Sequence, residues 1–314
     1  MGGHALKDIK CTRVLKEKYL LIKNDVINKI KDKLKYEEVI ETPNKKDFGD
    51  LDLLIQTTPN LFNIIKETFN PKSHFVNGNA ISFSYQLDND EYFQIDFIQV
   101  DNLKIGQFYF SYGDLGGILG RMVHPFNMRL GFNGLFVNYE YENIIICNEP
   151  KLICDYLTLN YEKWSFGFNN ITEIYEWIIE SKFFDKSYFI KLNSKARMQE
   201  KSRPMYLDFI TFTETIEKDK VEPIDDIMVH IKFFNKMKEI EEIDKQIKIR
   251  KIRQEKFSGL IFQKYVDKKL INKKKEEFKE YIQTNHNFDE WLDETNIDCI
   301  ENEIKNFVLE RCVF

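Results

Sequence analysis

The sequence predicts an α+β protein, with a mixed sheet and flanking helices in its first half and a mainly α-helical C-terminal region. Three observations predict this. Strand-length apolar runs separated by turn residues fill residues 50–100. A helical spacing of apolar residues precedes them at 14–35. From about residue 224 the chain is charged, helically patterned and almost free of glycine and proline.

The elements follow in order. Val14, Leu15, Leu20, Leu21, Val26, Ile27, Ile30 and Leu34 predict a helix over 14–35. Val39-Ile40 predicts a short strand, and residues 42–46 a polar turn. Residues 50–56 read as a buried strand, and 59–69 as a short helix with Pro59 near its first turn. Residues 80–87 and 92–100 read as two strands turning through 88–91. The segment 105–138 is the richest in glycine, and Gly116 to Arg121 reads as a flexible turn before a short helix. A second hairpin is expected over 135–147, turning around Tyr141-Glu142-Asn143, with helices at 149–157 and 171–183. These elements divide into a mixed part at 1–150, a small helical part at 151–204 and a helical region at 205–314. No internal repeat of 20–50 residues is present.

The composition, 43% hydrophobic and 31% charged, supplies a core. A net charge of −5 argues against tight, sequence-independent binding to duplex nucleic acid. The five cysteines form no Cys-x-x-Cys pair and no zinc spacing, which predicts reduced thiols. No signal-peptide core and no membrane-length apolar run occurs, so a cytoplasmic protein without a membrane span is expected. Leu6 stands where a myristoylation motif needs Ser or Thr. Abundant Lys, Ile and Asn, with AT-rich codons, point to an AT-rich genome such as that of a phage, a large virus or an AT-rich bacterium.

Two segments carry chemistry. In Asp47-Phe48-Gly49-Asp50-Leu51-Asp52-Leu53-Leu54-Ile55, strand alternation projects Asp50 and Asp52 side by side and buries Leu51 and Leu53 behind them. Adjacent carboxylates repel, and a divalent cation with oxygen ligands removes that cost. Gly49 permits a tight backbone just before the pair. In Phe93-Gln94-Ile95-Asp96-Phe97-Ile98, one carboxylate interrupts an apolar strand, which is costly unless it is paired or metal-bound. If the two strands are neighbours, three carboxylates converge as two-metal phosphoryl transfer requires.

Gly49-Asp50-Leu51-Asp52 and Ile95-Asp96-Phe97 resemble the Gly-Asp-x-Asp … apolar-Asp-apolar signature of the DNA polymerase β nucleotidyltransferase superfamily. The resemblance is strongest over 45–100 and extends weakly to about 165. It implies a palm domain over 1–150, a thumb-like subdomain over 151–204, and two Mg²⁺ (or Mn²⁺) ions. Asp50 and Asp52 would ligate both ions, and Asp96 the ion beside the acceptor hydroxyl. Ser111-Tyr112-Gly113-Asp114 resembles the family's Gly-containing turn near the incoming nucleotide. Cys147-Asn148-Glu149-Pro150 to Leu157-Thr158-Leu159 resembles its closing strand and short helix. The family usually places a Gly-Gly or Gly-Ser about a dozen residues before the Asp pair, to hold the triphosphate. Here the pair is Gly2-Gly3, in a Gly-Gly-x-Ala-Leu form, with the whole 14–35 helix between it and Asp50.

The expected nucleotide-binding residues are therefore Gly2, Gly3, Gly49, Arg121 and Arg129. Lys195, Arg197, Lys201 and Arg203 form a basic stretch expected to meet a nucleic-acid backbone. Asp47 and Asp101 read as turn or strand-end caps, Asp114 as a turn residue and His124 as structural. The run from Lys245 to Lys279 reads as a charged helical face. Two functions are in play. The first is transfer of a nucleoside monophosphate from an NTP to an acceptor hydroxyl, favouring an RNA 3′ end. The alternative is a catalytically inactive polymerase-like fold acting as a nucleic-acid-binding or assembly module. The net acidity and the displaced Gly pair favour the second, and three retained acids favour the first.

Overall fold

A computed structural model of the chain describes residues 3–190, 203–218 and 220–311. Its contacts divide into two units, one ending at Phe234 and the other beginning at Asn235. The expected boundaries at 150 and 204 both fall inside the first unit.

The first unit is built on a five-stranded mixed sheet in the order β2-β4-β7-β6-β5. These strands are β2 (Tyr36–Glu38), β4 (Asp50–Gln56), β5 (His74–Asn77), β6 (Ala80–Gln86) and β7 (Tyr92–Val100). β4 and β7 run parallel and every other pair is antiparallel. The parallel pair is joined through α2 (Leu61–Phe69) and the β5–β6 hairpin. Strand alternation sends Leu51, Leu53, Ile55, Phe83, Phe93, Ile95 and Phe97 into one core with Tyr19, Ile22, Val26 and Ile30 of α1 (Lys16–Ile30) and Ile65 of α2. Burying each such side chain contributes about 1.5–3 kcal/mol. On the opposite face Leu54, Ile98 and Val100 pack with Leu103 and Phe110 of α3 (Leu103–Phe110). That face is therefore apolar at one end and carries Asp50, Asp52 and Asp96 at the other.

Several expectations shift. Val14-Leu15 is a two-residue strand, β1, paired with β3 (Asp47–Phe48), and α1 stops at Ile30, short of Leu34. The strand expected at Val39-Ile40 lies earlier, at β2, because Tyr36 and Glu37 pair with Ile55 and Leu54. The Gly116–Arg121 turn is helical, inside α4 (Leu115–Val123). A Cβ on Gly116 would lie 2.0 Å from the Tyr109 carbonyl oxygen, so this glycine marks a close helix crossing rather than a flexible turn. The second hairpin is present within a three-stranded sheet of β8 (Met128–Gly131), β9 (Gly134–Tyr139) and β10 (Glu142–Cys147). Its turn residues are Glu140 and Tyr141, both with positive φ, as a tight two-residue turn demands.

Helices α5 (Pro150–Leu157), α6 (Tyr161–Phe166), α7 (Ile171–Ile179), α8 (Ser187–Ile190), α9 (Pro204–Glu214) and α10 (Ile227–Phe233) complete this unit. They are tied in by hydrogen bonds from Tyr112 Oη to the Trp164 carbonyl at 2.9 Å and between His230 Nε2 and the Phe126 carbonyl at 2.9 Å. These ties join α6 to the turn at Tyr112, and α10 to the segment at Phe126.

The second unit is helical: α11 (Met237–Lys256), α12 (Gly259–Phe262), α13 (Ile271–Gln283), α14 (Phe288–Glu294) and α15 (Ile297–Arg311). Its core holds Phe257, Phe262, Phe278, Leu292, Ile300, Ile304 and Phe307. Several of its basic side chains are engaged internally. Arg253 makes two bonds to Asp289, Lys248 pairs with Asp293 and Lys264 with Glu301. Lys256 Nζ donates to the carbonyl oxygens of Leu292, Asp293 and Thr295. Among the described residues no helix is long and apolar enough to cross a membrane.

Candidate metal centre

The parallel register of β4 and β7 sets Asp52 opposite Asp96 and Asp50 opposite Gln94. Neighbouring strands lie about 4.8 Å apart, so same-face side chains at these positions must meet. One carboxylate oxygen from each of Asp50, Asp52 and Asp96 lies within 4.8 Å of the others. All three are half-buried, at the end of the sheet face that α3 leaves uncovered.

The electrostatics follow from this crowding. Burial, then the charges of Asp50, Asp96 and Glu41, push Asp52 well above the ordinary carboxylate range, against the pull of Lys45. Asp96 is pushed up to about 6, first by burial and then by Asp50, while hydrogen bonds from Ser82 and Gln94 act in the other direction. Ser82 stands opposite Asp96 on β6, and Gln94 Nε2 donates to both Asp96 oxygens at 3.0 and 2.9 Å. Three acids in this geometry resist ionising together, and a divalent cation reverses that resistance. The donor set is all oxygen, which suits Mg²⁺ or Mn²⁺ rather than a softer metal.

Gly3 is also at this site. Its N–H donates to Asp50 Oδ2 at 2.9 Å. Its φ is +85°, and a Cβ there would lie 2.4 Å from the Gly49 carbonyl oxygen, so glycine is required on both counts. The segment that follows runs back along the sheet. Ala5 N–H donates to Gln94 Oε1 at 2.9 Å, Ser73 Oγ to Asp8 at 2.5 Å, and Thr12 N–H to the Tyr92 carbonyl at 2.8 Å. The intervening helix α1 thus does not keep Gly3 from the acids. Gly2 lies outside the described residues.

Three residues beside the acids carried no mark in the sequence reading. Lys45 Nζ bonds Glu41 at 2.6 Å and sits 4.7 Å from the centre of the Phe48 ring. Tyr19 stacks on Phe48 at 3.8 Å and donates to Glu41 at 3.0 Å. Burial, Glu41 and the acidic pair keep the Tyr19 hydroxyl protonated. Glu41 and Lys45 lie four apart, Lys45 in the 42–46 turn and Glu41 just before it, so nothing but their opposite charges marked them.

The other described candidates have partners of their own. Arg121 Nε donates to the Tyr188 carbonyl at 2.9 Å, and Arg129 reaches Asn143 at 3.1 Å while covering the Phe136 ring. The structure therefore sets Arg121 against α8 and Arg129 on the three-stranded sheet. Arg203 approaches Asp114 at 3.8 Å. Lys195, Arg197 and Lys201 lie outside the described residues. The 111–114 turn docks on the segment carrying Glu41: Tyr112 N–H donates to the Ile40 carbonyl at 2.6 Å and Ile40 N–H to Ser111 Oγ at 3.0 Å. Asp47 is held by Arg13, and Asp101 accepts from Thr57 Oγ1 at 2.8 Å, both local structural roles. A 430 Å³ cavity lined by Arg250, Arg253, Lys275 and Lys279 belongs to the second unit. No protein-family model matches the chain, and no curated protein matches it.

Proposed function

We propose that this protein is a metal-dependent nucleotidyltransferase of the polymerase β type, moving a nucleoside monophosphate from an NTP to an acceptor hydroxyl, with an RNA 3′ end as the favoured acceptor. The observation that carries this reading is the convergence of Asp50, Asp52 and Asp96 within 4.8 Å on two parallel strands. Two Mg²⁺ ions held there would activate the acceptor hydroxyl and offset charge on the departing pyrophosphate. Asp50 and Asp52, on one strand face, suit a shared position between both ions. Asp96, on the neighbouring strand, suits the ion nearer the acceptor. Gly3 lays its backbone against Gly49 beside the acids, where a Cβ would meet the Gly49 carbonyl oxygen at 2.4 Å. Lys45, whose charge acts on Asp52, would supply positive charge to a triphosphate held there.

The test is label transfer. The protein is incubated with Mg²⁺ or Mn²⁺, α-labelled NTPs, and RNA, DNA oligonucleotides or itself as acceptor. Metal-dependent transfer that falls at least about 10³-fold in Asp50→Asn and Asp52→Asn supports the reading, on the scale of removing a main transition-state contact. No transfer to any acceptor, with the variants like wild type, returns the protein to a non-catalytic binding role.

A further inference from the structure

We propose that Gln94 is a positioning residue that couples the amino-terminal segment to the acidic set, an inference that rests on the metal centre above. The Gln94 side chain is 2% exposed. Its Nε2 spans both oxygens of Asp96, at 3.0 and 2.9 Å, and its Oε1 accepts from Ala5 N–H at 2.9 Å. Only an amide side chain offers two donors and an acceptor without charge, and a carboxylate here would set another negative group against Asp96. Two residues before Ala5, Gly3 N–H holds Asp50 Oδ2 at 2.9 Å. One segment is thus fastened to two of the three acids, to Asp50 directly and to Asp96 through Gln94. Its far end is anchored by Asp8 on Ser73 and Thr12 on Tyr92.

The consequence is a mechanical link. A carboxylate oxygen has two lone pairs, so Asp96 can keep its bonds to Gln94 while the remaining pairs face a cation. A cation that fixes Asp96 also fixes the Gln94 amide plane, and through Oε1 the backbone of Ala5. Groups that orient metal-ligating side chains commonly contribute about 10–100-fold to metal affinity.

The experiment uses the full chain, with Mn²⁺ binding followed by titration calorimetry and backbone amide exchange followed over residues 3–12. In the wild type, Mn²⁺ slows exchange at Ala5 several-fold, with the same half-saturation as metal binding. Gln94→Met keeps the length of the side chain but removes both bonding groups. It weakens Mn²⁺ binding about 10–100-fold and abolishes the response at Ala5. Gln94→Glu keeps the acceptor, so Ala5 exchange without metal stays slow in that variant. The wild type and Gln94→Glu carry the test if Gln94→Met does not fold. Ala5 exchange that ignores Mn²⁺ in the wild type, or becomes fast in Gln94→Glu, overturns the coupling alone, as does unchanged Mn²⁺ affinity in Gln94→Met. Failure of the wild type to bind Mn²⁺ overturns the coupling and the metal centre together.

Discussion

Asp96 holds its proton in the metal-free fold up to about pH 6, whereas an unfolded aspartate loses it near about 4. Between those values the folded state binds the extra proton, so metal-free stability falls as pH rises across that window. The expected size is roughly 1–2 kcal/mol after allowing for partial solvent access. Urea unfolding without metal, measured from pH 4 to 7, should show this decline, and Asp96→Asn should make it shallower, with the raised Asp52 carrying the remainder. A wild-type profile that rises through the window contradicts the crowded-acid picture. Gly3 makes a second, sharper case. Gly3→Ala brings a Cβ against the Gly49 carbonyl at a φ that costs an L-residue about 1–2 kcal/mol. The segment 3–5 should detach, with faster amide exchange at Ala5 and weaker Mn²⁺ binding, while β4 and β7 keep their protection. Retained protection at Ala5 shows that the contact is dispensable. At this scale Asp50 and Asp52 were legible from strand period, because Gly-Asp-x-Asp puts both on one face whatever lies beside it. Gln94 obeys the same arithmetic, two residues before Asp96, but glutamine in a strand carries no mark until its partner, the N–H of Ala5, is located across the fold. Lys45 and Glu41 were hidden for another reason: their significance comes from the strand they face, and a turn sequence does not disclose that.

The register of β4 on β7 is the element-scale fact on which the site depends. A slip by one residue would turn Asp96 into the core and Ile95 out beside Asp52. Leu53 and Ile95 pin the register from the buried face, each with no exposed surface. Leu53→Asp should therefore destabilise the first unit severely, by about 3 kcal/mol or more, because an unpaired charge would enter a dry core. Chemical denaturation checks this, and a loss under about 1 kcal/mol contradicts the packing described. The strands of this sheet that border the acids were readable from alternation and aromatic content. The exposed edge strand β5 and the helical turns around Gly106 and Gly116 were not. Glycine there serves close approach, Gly106 to Val100 and Leu54, and Gly116 to the Tyr109 carbonyl. A single sequence does not separate that use of glycine from a loop.

At the scale of the molecule, the chain contains two units with separate cores, and the charged run from Lys245 to Lys279 lies wholly in the second. Several of its cations are paired with acids of α14 and α15, so charge there supports the helical unit itself. Phe278, whose ring meets those of Phe257, Phe262, Trp291 and Phe307, is the centre of that core. Phe278→Ala should cost about 3–5 kcal/mol and strip amide protection from residues 235–311 while β4 and β7 stay protected. Simultaneous loss in both units would show that they fold as one. The helical character of this region was plain from composition, whereas its boundary at Phe234 was not, because α10 is tied to the first unit by side-chain contacts, His230 between Tyr156 and the Phe126 carbonyl and Phe233 on the Tyr156 ring.

We propose that Asp50, Asp52 and Asp96 form a catalytic two-metal centre. Crystals grown with Mn²⁺ and a non-hydrolysable NTP, read by anomalous scattering, test it most directly. Two peaks about 3.5–4 Å apart are expected, both touching Asp50 and Asp52 and one touching Asp96, with the triphosphate beside Gly3. Anomalous density that avoids these carboxylates while Mn²⁺ is bound elsewhere on the chain would contradict it.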